Sequence, residues 1–147
     1  MSLIILIGEE KDWIFIPLPY FVMTENDISY IVRGCIFKVY NLLGPGLLES
    51  AYEAALEFEI KKAELKVRTQ VALPMIYETV RMDVGYRLDL LVAEKVIIEI
   101  KSVETLLDVH HKQLITYLKL SGLKLGLLVN FNTDTIADSI FRKVNGL

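Results

Sequence analysis

The run Val96-Ile97-Ile98-Glu99-Ile100 restricts the fold more than any other part of the chain. Successive side chains of a strand point to opposite faces. A strand this apolar therefore needs cover on both sides, which implies a sheet flanked by helices. Segments of helical period lie on either side of it in the sequence. From Asp27 the apolar positions Ile28, Ile31, Val32, Cys35, Ile36, Val39, Leu42 and Leu43 recur at helical spacing, with Thr24 or Asn26 as N-cap. Gly44-Pro45-Gly46 ends that helix, and a second is predicted over 48–63, with Ala51, Ala54, Ala55, Phe58 and Ile60 among its apolar residues. Helix, tight break, helix predicts an αα-hairpin whose apolar stripes face the sheet.

Between 66 and 101 the pattern changes to short β-branched and aromatic runs. Strands are expected at 67–73, 75–80, 86–92 and 96–100, separated by Pro74, by Asp83 and Gly85, and by Ala93-Glu94-Lys95. An antiparallel meander is the simplest arrangement. A third helix over 109–120, closed by Ser121-Gly122, precedes another buried strand at 124–131. A helix between two strands of one sheet implies a right-handed crossover and a parallel pair. Residues 136–144 read as a final strand or a short helix. The expected fold class is α/β in the α+β sense: a mixed β-sheet flanked by helices, in the order ααββββαβ, forming a single domain over 23–147.

A chain of 147 residues is large enough for one sizeable core. Residues 1–22 differ in character, with β-prone stretches at 3–7 and 13–16 followed by Pro17-Leu18-Pro19. They read as an N-terminal extension ahead of Met23, or as an extra edge strand or arm packed on the domain or on a second copy. No apolar run reaches the roughly 18–20 residues a bilayer span needs, and no signal-peptide pattern is present, so a cytoplasmic protein without membrane attachment is expected. The single cysteine, Cys35, leaves no internal disulfide and falls on an apolar helix face, as a buried thiol would. A net charge of −3 argues mildly against nucleic-acid binding but does not exclude a nuclease, whose metal site adds carboxylates of its own. The 53% hydrophobic content makes a homodimer plausible.

A glutamate inside a covered strand is costly unless something pairs with it. If 88–92 and 96–100 are hairpin partners, Asp89 and Glu99 lie near one end and share a face. Two carboxylates that close repel, and a divalent cation between them removes the repulsion; hard oxygen ligands suit Mg²⁺ or Mn²⁺. Lys101 follows Glu99 by two residues, so strand alternation gives both the same face. It could orient or help deprotonate an activated water, or stabilise the pentavalent phosphate. Lewis acid, activated water and compensating cation are the parts of a metal-assisted hydrolysis. An acid, nine residues, then Glu-x-Lys is a loose pattern by itself, and surface hairpins also alternate charges. The apolar flanks of both acids, Leu-Asp-Leu-Leu-Val and Ile-Ile-Glu-Ile, favour the chemical reading.

Asp89 with Glu99-Ile100-Lys101 and the preceding helix resembles the PD-(D/E)XK nuclease superfamily. More narrowly, GPGLLESAYEAAL at 44–56 resembles the compact bacterial group called GxxExxxY proteins, through Gly46, Glu49 and Tyr52. The similarity continues through YRLDLLV, IIEIKSVE, HHKQLITYLK and GLLVNF, covering about 27–132. It implies a restriction-endonuclease-like core. It also implies that Asp89 and Glu99 bind the metal, that Lys101 is catalytic, and that the Ile100 carbonyl and Glu49 are further ligands or supports. Gln113 and Tyr117, at i, i+4 on one helical face, match a Gln-xxx-Tyr helix that flanks this site in several relatives. Tyr52 stands three, not four, residues after Glu49, so the match is weakest there.

Each residue also has a plainer reading. Tyr52 would be a core-edge residue, Tyr117 would only pack on the sheet, and Glu49 would serve the first turn of its helix, where an acid suits the macrodipole. His110 and His111, adjacent rather than i, i+4, stand outside the core site. The leading function is Mg²⁺-dependent hydrolysis of a nucleic-acid phosphodiester, DNA or RNA. The alternatives are a catalytically idle nucleic-acid-binding module and a protein-interaction domain in which residues 1–22 form a swapped arm.

Overall fold

The computed structural model describes residues 22–147; the readings of 1–21 as arm or strand lie outside the described residues. Helix α1 spans Glu25–Leu43 and helix α2 Glu49–Lys62. Strands β1 (Val67–Tyr77), β2 (Val80–Val92) and β3 (Val96–Lys101) follow, then α3 (Asp108–Ser121), β4 (Leu125–Asn130), a 3₁₀ turn (Ile136–Ser139) and β5 (Ile140–Val144). Thr24 is the cap of α1: its hydroxyl accepts from the Asp27 amide and its own amide donates to the Asp27 carboxylate. This reciprocal pair satisfies two otherwise orphaned donors.

The five strands lie in sequence order. β1–β2, β2–β3 and β4–β5 are antiparallel, while β3–β4 is parallel and joined through α3. The mixed sheet flanked by helices and the parallel crossover are therefore as the sequence implies. The strand count before α3 differs. Predicted strands 67–73 and 75–80, divided at Pro74, are one long β1 and the start of β2, because Pro74 falls at a register shift between Leu73 and Met75 where no ladder amide is needed. The true reversal is at Glu78 and Thr79. The tail takes both forms offered for it, a 3₁₀ turn and then strand β5.

Two cores flank the sheet. Helices α1 and α2 cover one face, packing Ile28, Val32, Ile36, Tyr52, Leu56 and Ile60 on Leu90, Val92, Val96, Ile98 and Ile100. Helix α3 covers the other with Leu114, Tyr117 and Leu118 on Leu88, Leu91, Ile97 and Leu128. Cys35 is buried in the first core, as expected of a structural thiol.

Helix α3 approaches β4 closely at Gly126, where an added Cβ would lie 2.7 Å from Leu114 Cδ1. Leu114 is completely buried, and its Cγ and Cδ2 would also lie within 3.2 Å, so the side chain would have to repack inside the core. Gly126→Ala is thus expected to destabilise the domain by about 1–3 kcal/mol, as overpacking does, measured as a lowered denaturation midpoint with an unchanged m-value.

Candidate metal centre

Strands β2 and β3 pair backbone to backbone only through Leu90↔Ile98, Leu91↔Ile97 and Val92↔Val96. One residue further the two acids take over the ladder. The Ile100 amide donates to Asp89 Oδ2 at 2.8 Å, and the Asp89 amide donates to Glu99 Oε1 at 3.2 Å. A carboxylate oxygen thus replaces a strand carbonyl in each direction, and the strands part at this point. Because the amide and carbonyl of a strand residue point to the same side, the Ile100 carbonyl faces the opening too. The Lys101 carbonyl points the other way and accepts from the Phe131 amide of the β4 side at 2.9 Å.

Alternation along β3 sends Ile98 and Ile100 into the α1–α2 core and so turns Glu99 and Lys101 toward α3. Glu99 is only 3% exposed. Burial first, and then the negative charge of Asp89, push its carboxyl up to about 9, against a small opposing pull from Lys101. Lys101 is half-buried and makes no ion pair among the described residues. Tyr117 of α3 is buried, its ring edge-on to Tyr86 with centroids 5.6 Å apart. Burial and then the charges of Glu99 and Asp89 push its hydroxyl up to about 12, and Gln113, one turn earlier on α3, opposes the shift. Of the pair expected on this helix, Tyr117 stands within the field of both acids, and Gln113 precedes it by one turn of α3.

Glu49 opens α2 and its Oε1 accepts from the Ser102 amide at 3.4 Å. It lines a cleft of about 660 Å³ shared by Leu47, Ser50, Glu53, Gln70, Asp89 and Ser102. Asp89 belongs both to this cleft and to the pair with Glu99. Among the described residues no three His, Cys, Asp or Glu side chains are grouped tightly enough to hold a metal, so Glu49 does not close a three-acid cluster with Asp89 and Glu99. What the chain offers a cation is two facing carboxylates and a strand carbonyl, all hard oxygens. Such a set fits Mg²⁺ or Mn²⁺, because Mg²⁺ in particular retains several waters and is bound by one or two carboxylates. Burial first, and then the neighbouring Asp89, disfavour the ionised form of Glu99, which a cation at this position would favour.

Glu53 and Gln70 escaped the sequence reading. Glu53 stands one turn after Glu49 on α2, an i, i+4 spacing that places both on one face. Burial, above all, raises its carboxyl, while the Gln70 amide opposes the shift. Gln70 carries no signal in its residue type. Tyr52 is more than a core-edge residue. It is fully buried, stacks on Phe131 at 4.3 Å, donates its hydroxyl to the Gly44 carbonyl at 2.5 Å and accepts from the Leu47 amide at 3.1 Å. It thereby pins the Gly44-Pro45-Gly46 loop beside the strand ends. His110 neither reaches the acids nor stands idle: its Nδ1 accepts from the Leu107 amide at 3.0 Å and caps α3. His111 lies edge-on to Phe141, with centroids 5.0 Å apart.

A helix-flanked mixed sheet that parts at an acid pair, with a lysine two residues on, is the restriction-endonuclease-like arrangement. A model of the PD-(D/E)XK nuclease superfamily matches residues 26–143, and the chain belongs to that superfamily. No curated protein and no solved structure gives a significant match. Among the described residues no helix is long and apolar enough to cross a membrane.

Proposed function

We propose that this chain is a Mg²⁺- or Mn²⁺-dependent nuclease that hydrolyses phosphodiester bonds of DNA or RNA at Asp89, Glu99 and Lys101. The observation that carries the reading is the exchange of hydrogen bonds between the two acids and the amides of Ile100 and Asp89. Carboxylates held by backbone cannot swing away, so two oxygen ligands are preorganised where the strands open. Asp89, Glu99 and the Ile100 carbonyl would hold the cation, which would supply Lewis acidity at the phosphoryl oxygen and lower the pKa of water.

The remaining work belongs to the chain. The ammonium of Lys101, on the face shared with Glu99, compensates the charge that develops on the phosphoryl group. The Tyr117 hydroxyl, kept protonated at neutral pH, can donate to a substrate oxygen but does not act as a base. Gln113 orients that hydroxyl.

The test is titration of the protein with Mn²⁺ by calorimetry, beside cleavage assays on single- and double-stranded DNA and RNA. Wild type should bind Mn²⁺ and cleave at least one substrate. Asp89→Asn, which keeps the acceptor for the Ile100 amide, should bind at least about 10-fold more weakly. A wild-type protein that takes up no metal and cleaves none of these substrates would end this reading.

A further inference from the structure

We infer that Gln70 is a positioning residue of the metal site, holding Asp89 and drawing Glu53 of α2 to it. This rests on the reading of Asp89 as a metal-binding acid. Among the described residues five non-glycine residues have positive φ. Glu64, Glu78, Ala93 and Glu94 follow a helix or form hairpin turns, where such backbone is ordinary. Gln70, at φ +49°, stands alone inside a strand.

Its position explains what the distortion does. Gln70 faces Asp89 in the β1–β2 ribbon, between the pairs Thr69↔Leu90 and Val71↔Leu88. Leu90 packs in the α1–α2 core, yet Leu88, two residues away on the same strand, packs in the α3 core. Regular alternation would put both on one face. The ribbon therefore turns over at Gln70 and Asp89, which brings both side chains to the opening between β2 and β3.

The amide of Gln70 then joins two carboxylates. Its Nε2 donates to Glu53 Oε2 at 2.7 Å and lies 3.4 Å from Asp89 Oδ1. The second oxygen of Asp89, Oδ2, is already held by Ile100. Both oxygens of the acid are thus oriented, one by backbone and one by Gln70. A donor between Glu53 and Asp89 also offsets their repulsion and keeps Glu53 at the edge of the site. Outer-sphere hydrogen bonds of this kind commonly change metal affinity by about 10–100-fold.

Glycine relieves left-handed backbone, so a glutamine in that conformation whose amide bridges two carboxylates points to a task for the side chain. Two variants separate the backbone from the amide. Gln70→Gly should keep or raise the Tm of the metal-free protein while lowering Mn²⁺ affinity about 10-fold, measured by calorimetry. Gln70→Met, similar in length but without the amide, should lower Mn²⁺ affinity comparably. The inference is overturned if either variant binds Mn²⁺ as wild type does, or if affinity falls only together with Tm in Gln70→Gly. Failure of wild type itself to bind Mn²⁺ would instead remove the metal reading, and the role of Gln70 with it.

Discussion

Lys101→Ala is expected to lower Mg²⁺-dependent cleavage by about 10²–10³-fold, the loss typical of one charge-stabilising group in a preorganised site, while leaving the fold intact. Lys101 makes no ion pair among the described residues, so its removal leaves no partner stranded. Its structural contribution is the backbone carbonyl that accepts from Phe131, which alanine retains. Tm should therefore stay within a few degrees of wild type. Mn²⁺ binding should persist, weakened slightly, because Lys101 helps hold the Glu99 proton affinity down. Lys101→Arg should recover only part of the rate, since a wide planar guanidinium does not replace a compact ammonium. Undiminished cleavage by a folded Lys101→Ala protein would remove the lysine from the chemistry.

The second large effect concerns stability. In the fold the Glu99 carboxyl is raised to about 9 by burial and then by Asp89. In the unfolded chain a glutamate titrates near ~4.3. The folded state therefore holds a proton that the unfolded state releases. The resulting stabilisation is complete below the unfolded value, declines as pH rises between the two, and is gone above about 9. The slope is at most about 1.4 kcal/mol per pH unit, or roughly 3–5 °C in Tm for a domain of this size.

Glu99→Gln should remove this dependence. The glutamine oxygen can still accept from the Asp89 amide, and its amide can donate to Asp89 as the protonated acid would. At pH 8 without metal the variant should melt above wild type; at pH 4, where Glu99 is itself neutral, the two should coincide. Added Mg²⁺ should raise the Tm of wild type at pH 8 and leave the variant almost unmoved. A glutamate held in a structural ion pair predicts the reverse, a variant that melts lower at neutral pH. Thermal denaturation at two pH values, with and without Mg²⁺, distinguishes the cases.

Much of the candidate site is legible in the sequence. Asp89, Glu99 and Lys101 stand out because charged residues interrupt strands otherwise apolar enough to be buried. Gln113 and Tyr117 are implied by the family resemblance, with i, i+4 spacing only placing them on one helical face; the same spacing from Glu49 could have pointed to Glu53. The division into β1 and β2 was misplaced because Pro74 reads as a break, yet it fits at a register shift of an edge strand. Tyr52 shows a different limit. Sequence marks it as one aromatic on an amphipathic helix, whereas its hydroxyl binds both ends of the Gly44–Leu47 loop.

By itself the sequence determined the helical and strand periods, the two-sided burial of 96–100, and hence a mixed sheet between helices with an acid pair at one strand end. Those features are local, recorded in the spacing of apolar and charged residues. Only the tertiary structure decided where the β2–β3 ladder stops, that each acid replaces a strand carbonyl, and that Asp89 belongs to both the Glu99 pair and the α2 cleft. It also decided that the β1–β2 ribbon turns over at Gln70, in a backbone conformation that glutamine seldom adopts. Side-chain spacing records which residues are covered; it does not record the rotation of one strand against another, and that rotation is what brings Gln70, and through its amide Glu53 of α2, to Asp89.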